Sequence, residues 1–212
     1  MDVQVFSEVG EARFLDRNTV GLPDGTQLQA EKFILCAGGR ARRLDFPGAE
    51  LALTHSDVWA LKSLPASIVV VGGAATGCQL ASIFAAFGAQ VTLIEREDHI
   101  LRSEDPAVSK IITQAFENHG IQIITGIDGI QQIKKQGSNQ VLRFLQNSQI
   151  HERQTQAVIL STGWVGNLAS LNLPAAGVET RGAYIPVNDY LQTNQPHIFA
   201  AGDITGRMML VQ

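Results

Sequence analysis

Ser67-Ile68-Val69-Val70-Val71-Gly72-Gly73-Ala74-Ala75-Thr76-Gly77 joins an apolar run to a glycine-rich turn. Ile68 to Val71 is an unbroken β-branched run bounded by glycine, which predicts a buried central strand. Ala75 to Phe87 carries small and apolar residues at helical spacing and is closed by Gly88. Gln90 to Glu95 reads as a second strand. Asp105-Pro106 starts a helix that runs to about His119, with Gly120 as its stop. Ile121 to Thr125 is a third strand. Strand, helix, strand, helix, strand is the order of a parallel sheet with right-handed crossovers.

The glycine turn itself points to chemistry. Gly72 allows a tight strand-to-helix turn. Position 74 has to be small where a backbone closes on a pyrophosphate, and Gly77 lets the helix pack closely on the strand. The helix N-terminus presents free N–H groups and the positive end of its dipole to an anion. The stretch Gly72, Gly73, Ala74, Ala75, Thr76, Gly77 is therefore a candidate dinucleotide cradle. Its middle glycine is replaced by Ala74, whose methyl group crowds the phosphate approach. Glu95 falls about 20 residues on, at the end of the next strand, where a carboxylate accepts hydrogen bonds from a ribose diol. The competing readings are a tight packing turn without a ligand and a solvated acid at a strand end. A carboxylate at position 95 favours NAD(H) over NADP(H), because it accepts from a free 2′-hydroxyl and repels a 2′-phosphate. Arg96 and Arg102 argue the other way, since arginine pairs bidentately with phosphate.

Outward from this centre, the N-terminal region alternates. Val3 to Phe6, Ala12 to Leu15, Thr19 to Leu22 and Gln27 to Ala30 read as strands of a small antiparallel meander, with Pro23-Asp24-Gly25 as a turn. Lys32 to Gly39 reads as a buried strand ending at two glycines. Pro47-Gly48 and Ser63-Leu64-Pro65 break the chain and mark a domain boundary. Ile130 to Thr155 reads as an antiparallel excursion with turns at Gly137-Ser138-Asn139 and Asn147-Ser148. Gln156 to Gly163 is a further buried strand. From Gly177 the chain is loop-like, with Ile185-Pro186-Val187 extended. His197 to Asp203 is a last strand with a sharp end, and Met208 to Gln212 starts something helical.

Composition narrows the function classes. The 212 residues are 45% hydrophobic and 17% charged, with 20 glycines and 7 prolines, as in a globular protein. No run approaches the length of a membrane-spanning helix, and no export signal follows Met1, so a cytoplasmic location is expected. The net charge of −4, with Arg40, Arg42 and Arg43 as the one basic knot, argues against nucleic-acid binding. Cys36 and Cys78 lack the spacing of a disulfide scaffold or a zinc site and read as small core hydrophobes. His55, His99, His119, His151 and His197 have no ligand spacing and no adjacent nucleophile, so each reads as a surface or capping residue. No metal site and no catalytic side chain is expected.

Four stretches in a fixed order resemble the pyridine nucleotide-disulfide oxidoreductases, the FAD-containing family that includes dihydrolipoamide dehydrogenase, glutathione reductase and mercuric reductase. Phe33 to Gly39 resembles the family's strand leading into an Ala-Thr-Gly turn, here Ala37-Gly38-Gly39. Leu64-Pro65 followed by Val69-Val70-Val71-Gly72-Gly73 resembles the entry to its NAD domain. Ser161-Thr162-Gly163 is similar to the turn that leaves that domain. Gln192-Thr193 and Ile198-Phe199-Ala200-Ala201-Gly202-Asp203, with Thr205-Gly206-Arg207 after them, resemble the second FAD fingerprint.

The resemblance implies an α/β fold. A Rossmann-like NAD-binding domain, a parallel sheet with an antiparallel excursion, spans 53–174 and is flanked by partial FAD-binding domain at 1–52 and 175–212. It implies that Asp203 hydrogen-bonds a ribityl hydroxyl of FAD, that Gly202 lets the flavin chain pass, and that Ala37, Gly38 and Gly39 line that dinucleotide; for Asp203 a helix N-cap is the alternative. Thr162 and Gly163 fall among the cofactor contacts. Ala75 stands where the family often has an aromatic gate, and Gln79 where it often has a glutamate near the nicotinamide. Trp164 and Gly166 stand where Arg and Pro often follow the second turn. The first FAD fingerprint, the CxxxxC pair and the dimerisation domain with its His-Glu pair are not in this sequence. The expectation is thus the NAD(P)H-binding portion of an FAD-dependent oxidoreductase, homodimeric at full length, passing hydride between nicotinamide and flavin. Its partners are small-molecule nucleotides. The segment alone is expected to hold FAD weakly and to lack disulfide reductase activity. The rivals are a non-catalytic nucleotide-binding or redox-sensing module, and an NADH-dependent flavin reductase without a redox disulfide.

Overall fold

A computed structural model describes residues 3–207. The chain divides into two compact units, one of residues 41–163 and one of the segments that flank it. These units part earlier in the chain, at both ends, than the breaks read from the sequence. Phe46, Leu51 and Ala52, ahead of the expected start at 53, pack in the core of 41–163, and the 3-10 turn Leu173–Ala176 packs in the flanking unit's core.

The 41–163 unit is built on five parallel strands in the spatial order Leu53–Thr54, Ala157–Leu160, Ser67–Val71, Gln90–Ile94 and Gln122–Ile124. Alternate residues of each strand feed opposite faces. Ile68, Val70, Leu93 and Ile159 pack with Leu80, Ala81 and Phe84 of helix α1, Ala75–Ala86, and with Ile112 and Phe116 of helix α2, Pro106–Asn118. Val69, Val71, Ile94, Val158 and Leu160 face the other way, onto Ile133, Leu142 and Phe144. Those three belong to the antiparallel strands Gly129–Gln136 and Asn139–Gln146, which Gln149–Thr155 completes. Helices cover one face of the parallel sheet and a second sheet covers the other. Burial on both sides is why Ile68 to Val71 and Ala157 to Leu160 are continuous apolar runs rather than alternating ones.

The expected helix signals act as read. The Asp105 carboxylate accepts from the Ala107 amide at 2.8 Å and Pro106 takes the first helical position of α2. His119 ends that helix, its Nδ1 2.7 Å from the Ala115 carbonyl. Asn147 and Ser148 turn the second hairpin with φ of 52° and 62°.

In the flanking unit, Arg13–Phe14, Thr19–Gly21 and Gln27–Gln29 form the expected meander. Phe33–Leu35 pairs in parallel with Ile198–Ala200. Phe14, Leu173, Ile185, Ile198, Ala200 and Ile204 form its core.

Three expectations need correction or setting aside. Val3 to Phe6 forms no strand and is exposed, because β-propensity without a pairing partner does not make a ladder. Cys36 is exposed rather than core, since the Phe33–Leu35 strand ends one residue before it; Cys78 is buried as expected. The helical start read at Met208 to Gln212 lies outside the described residues.

Candidate functional site

Gly72 ends the Ser67–Val71 strand with φ of 108°. A β-carbon there would lie 2.2 Å from the Ser161 carbonyl oxygen. Backbone conformation and the neighbouring Ser161-Thr162-Gly163 turn therefore both demand glycine. At Gly77 the constraint is packing alone: a β-carbon would sit 1.8 Å from the Gly72 carbonyl oxygen. Helix α1 thus begins directly on the end of the strand. Its cap, Ala74, is extended, exposed and makes no side-chain cap hydrogen bond. The first-turn amides of a helix have no intrahelical acceptor, and an alanine cap supplies none. Ala75 and Gln79 are exposed, while Thr76 is half-buried.

Glu95 follows the Gln90–Ile94 strand at the same end of the sheet. Its Oε2 accepts from the buried Gly73 amide at 2.5 Å and its Oε1 accepts from the Glu97 amide at 2.9 Å. A carboxylate has about four lone-pair sites, so each oxygen keeps capacity for another donor. The Gly73 carbonyl accepts from the Leu101 amide at 2.7 Å and from the Cys78 thiol at 3.3 Å. Burial pushes the Cys78 thiol up to about 12, and the Glu95 charge adds to the shift.

Glu97 is the residue that sequence reasoning missed. Its carboxylate pairs with Arg96 at 3.3 Å through Oε1, and its Oε2 takes a close contact from Arg102. The Glu95-Arg96-Glu97 alternation was the available signal; the five-residue span from Glu97 to Arg102 across a loop has no periodic signature.

The second turn lies beside the first within this unit. The Ser161 amide donates to the Val71 carbonyl at 2.7 Å, and the Gly163 carbonyl accepts from the Arg42 amide at 2.9 Å. The Thr162 hydroxyl donates to the Arg42 carbonyl at 3.5 Å. Gly72 to Gly77, Glu95 and Thr162-Gly163, distant in sequence, therefore meet at the carboxyl ends of adjacent parallel strands. In open α/β sheets that is where ligands bind.

In the flanking unit, Ala37-Gly38-Gly39 and Gly202-Asp203 follow the paired strands Phe33–Leu35 and Ile198–Ala200, again at their carboxyl ends. Asn167 fixes the first turn, its side chain donating to the Ala37 carbonyl at 2.9 Å and its amide to the Gly38 carbonyl at 3.1 Å. Gly202, with φ of 78°, caps the 3-10 turn Asp203–Thr205. The capping alternative for Asp203 is thereby corrected: the cap is Gly202, and Asp203 is the first residue inside. An open cavity of about 910 Å³ in this unit, lined by Glu11, Arg13, Leu22, Pro23, Ser170 and Asn172 among others, includes none of the candidate residues.

Among the described residues no group of three His, Cys, Asp or Glu side chains is placed to hold a metal ion. No described helix is long and apolar enough to cross a membrane.

The chain is 32% identical over 200 residues to a mercuric reductase of Bacillus cereus, covering 92% of this chain and 31% of that protein. It is 36% identical over 194 residues to a dihydrolipoyl dehydrogenase of Chlamydia pneumoniae, covering 88% and 40%. The solved HOCl-induced flavoprotein disulfide reductase RclA from Escherichia coli superposes with a TM-score of 0.86 at 23% identity, over 95% of this chain and 46% of that one. The chain thus spans less than half the length of each. The model of the pyridine nucleotide-disulphide oxidoreductase family matches residues 1–212. This chain belongs to the pyridine nucleotide-disulphide oxidoreductase family.

Proposed function

We propose that the 41–163 unit binds a pyridine nucleotide, with NAD(H) preferred over NADP(H), and that the flanking unit supplies part of an FAD site. At full length the protein would be an FAD-dependent oxidoreductase passing hydride between nicotinamide and flavin, cytoplasmic and homodimeric as is usual in the family. The carrying observation is the Glu95 carboxylate, held by the Gly73 amide beside the uncapped first turn of α1.

The residues present fit a dinucleotide. The first-turn amides of Ala75, Thr76 and Gly77 would take the pyrophosphate, where the helix dipole favours negative charge. Glu95 would accept from the adenosine ribose hydroxyls with its remaining lone pairs. Arg96 lies one residue on from that contact. Gln79 and Thr162-Gly163 would flank the path toward the nicotinamide. Ala37, Gly38, Gly39, Gly202 and Asp203 would line FAD in the other unit. The flavin, when bound, supplies the two-electron chemistry; this chain's residues bind and orient.

Calorimetric titration of the 212-residue chain with NADH tests the reading. Saturable one-to-one binding, weakened by Glu95→Ala, is the expected result. Absence of saturable binding to either nicotinamide nucleotide would overturn it.

A further inference from the structure

Two arginines flank the carboxylate that would meet the adenosine ribose, and one acid holds both. Glu97 pairs with Arg96 and with Arg102. Its backbone is fixed from two sides: its amide donates to Glu95 Oε1 at 2.9 Å, and its carbonyl accepts from the Gly126 amide at 2.8 Å. Its side chain is 29% exposed, against 74% for Arg96 and 65% for Arg102. The acid is the anchored member and the cations are the exposed ones. The other acids of the loop have hydrogen-bond partners of their own, although Asp98 also lies within the field of Arg102. Asp98 bonds to His99 at 2.5 Å, and Glu104 accepts from Ser103 at 3.1 Å.

We propose that Glu97 is a specificity-determining residue, a latch that keeps Arg96 and Arg102 from a 2′-phosphate and so favours NAD(H). The inference deepens the nucleotide-binding reading and rests on it. The Glu95, Glu97 and Asp98 carboxylates stand beside two arginines, so acids outnumber cations and a dianionic phosphate gains nothing from entering. Without the Glu97 charge, the acidic excess is gone and a guanidinium fork is free to bind phosphate bidentately. The preference then depends on an intramolecular competitor as well as on repulsion by Glu95. Exposed ion pairs are individually weak, so the latch biases the choice without abolishing NADP(H) binding.

The test measures Kd for NADH, NADPH and adenosine 2′,5′-bisphosphate by calorimetry on the wild-type chain, Glu97→Gln and the double variant Glu97→Gln/Arg102→Gln. Loss of two exposed pairs should tighten NADPH and the bisphosphate by about tenfold in Glu97→Gln, with NADH changed by less than about twofold. Raising salt from about 0.05 M to about 0.5 M should erase most of that gain. The double variant should lose it. A purely structural role for Glu97 would weaken both nucleotides together, and that result, or an unchanged NADPH affinity, overturns the latch. Wild-type chain that binds neither nucleotide would instead overturn the nucleotide reading beneath it.

Discussion

The Glu95 carboxylate accepts the Gly73 amide hydrogen bond at 2.5 Å, tying the end of the Gln90–Ile94 strand to the turn that follows Ser67–Val71. The residue proposed to read the ribose therefore also braces the turn proposed to hold the pyrophosphate. The two roles separate by substitution. Glu95→Ala leaves the buried Gly73 donor without its acceptor and should cost about 1–3 kcal/mol of stability. Glu95→Gln keeps an acceptor oxygen and should cost much less. Both should reduce the preference for NADH over NADPH. Thermal melts paired with nucleotide titrations check this; equal destabilisation by Ala and Gln would remove the bracing role.

Gly77 is held by packing, with the Gly72 carbonyl where a β-carbon would stand. Gly77→Val should therefore destabilise the chain by at least about 1–3 kcal/mol through overpacking. Ala74→Gly acts at an exposed cap and should preserve or improve NADH affinity while changing stability far less. Melting curves of the two variants that coincide would refute the packing role of Gly77.

The two thiols should differ sharply in reactivity. Cys78 is buried and its thiol is pushed up to about 12, so almost no thiolate forms at neutral pH. Cys36 is exposed. An aromatic disulfide reagent should modify one thiol per native chain and two in denaturant, with Cys36→Ser abolishing the native reaction. Two fast-reacting thiols in the native chain would contradict the burial of Cys78.

Much of this was legible in the sequence because local and long-range signals agree there. Ile68 to Val71, the Gly72–Gly77 turn and Asp105-Pro106 each specify strand, turn or cap by their own chemistry. Glycines at 72 and 77 are dictated by neighbours in the fold, yet they fall at the spacing that any tight strand-to-helix turn requires. What was not legible depends on partners far along the chain. The Leu53–Thr54 strand exists because Ile159 and Leu160 offer it an edge, and two residues carry no periodicity. Cys36 looked like core because Lys32 to Gly39 is apolar, but its strand pairs only over Phe33 to Leu35. Glu97 escaped notice because its two partners lie on opposite sides of it within a loop.

Asp57 gives a pH-dependent handle on the 41–163 unit. Its Oδ2 accepts from the Thr54 amide at 2.7 Å and the Thr54 hydroxyl at 2.8 Å, and Arg43 lies 3.3 Å away. The Thr54 hydrogen bonds, with Arg43 adding to them, hold its carboxyl below the usual value of 3.8. A lowered folded-state value means that the unfolded chain takes up the proton more readily. The stability Asp57 contributes is therefore complete above pH 3.8 and is lost as pH falls through its lower folded value. Asp57→Ala should melt below wild type at pH 7, and the two should converge under acid. A gap that stays constant as pH falls would contradict the charge-dependent role.

Amide hydrogen exchange of the 212-residue chain, with and without saturating NADH, reports where the nucleotide sits. New protection is expected at Gly73 to Gly77 and around Glu95 to Glu97, with the antiparallel strands from Gly129 to Thr155 unchanged. Protection confined to the cavity beside Glu11 and Arg13, or none anywhere, would contradict it.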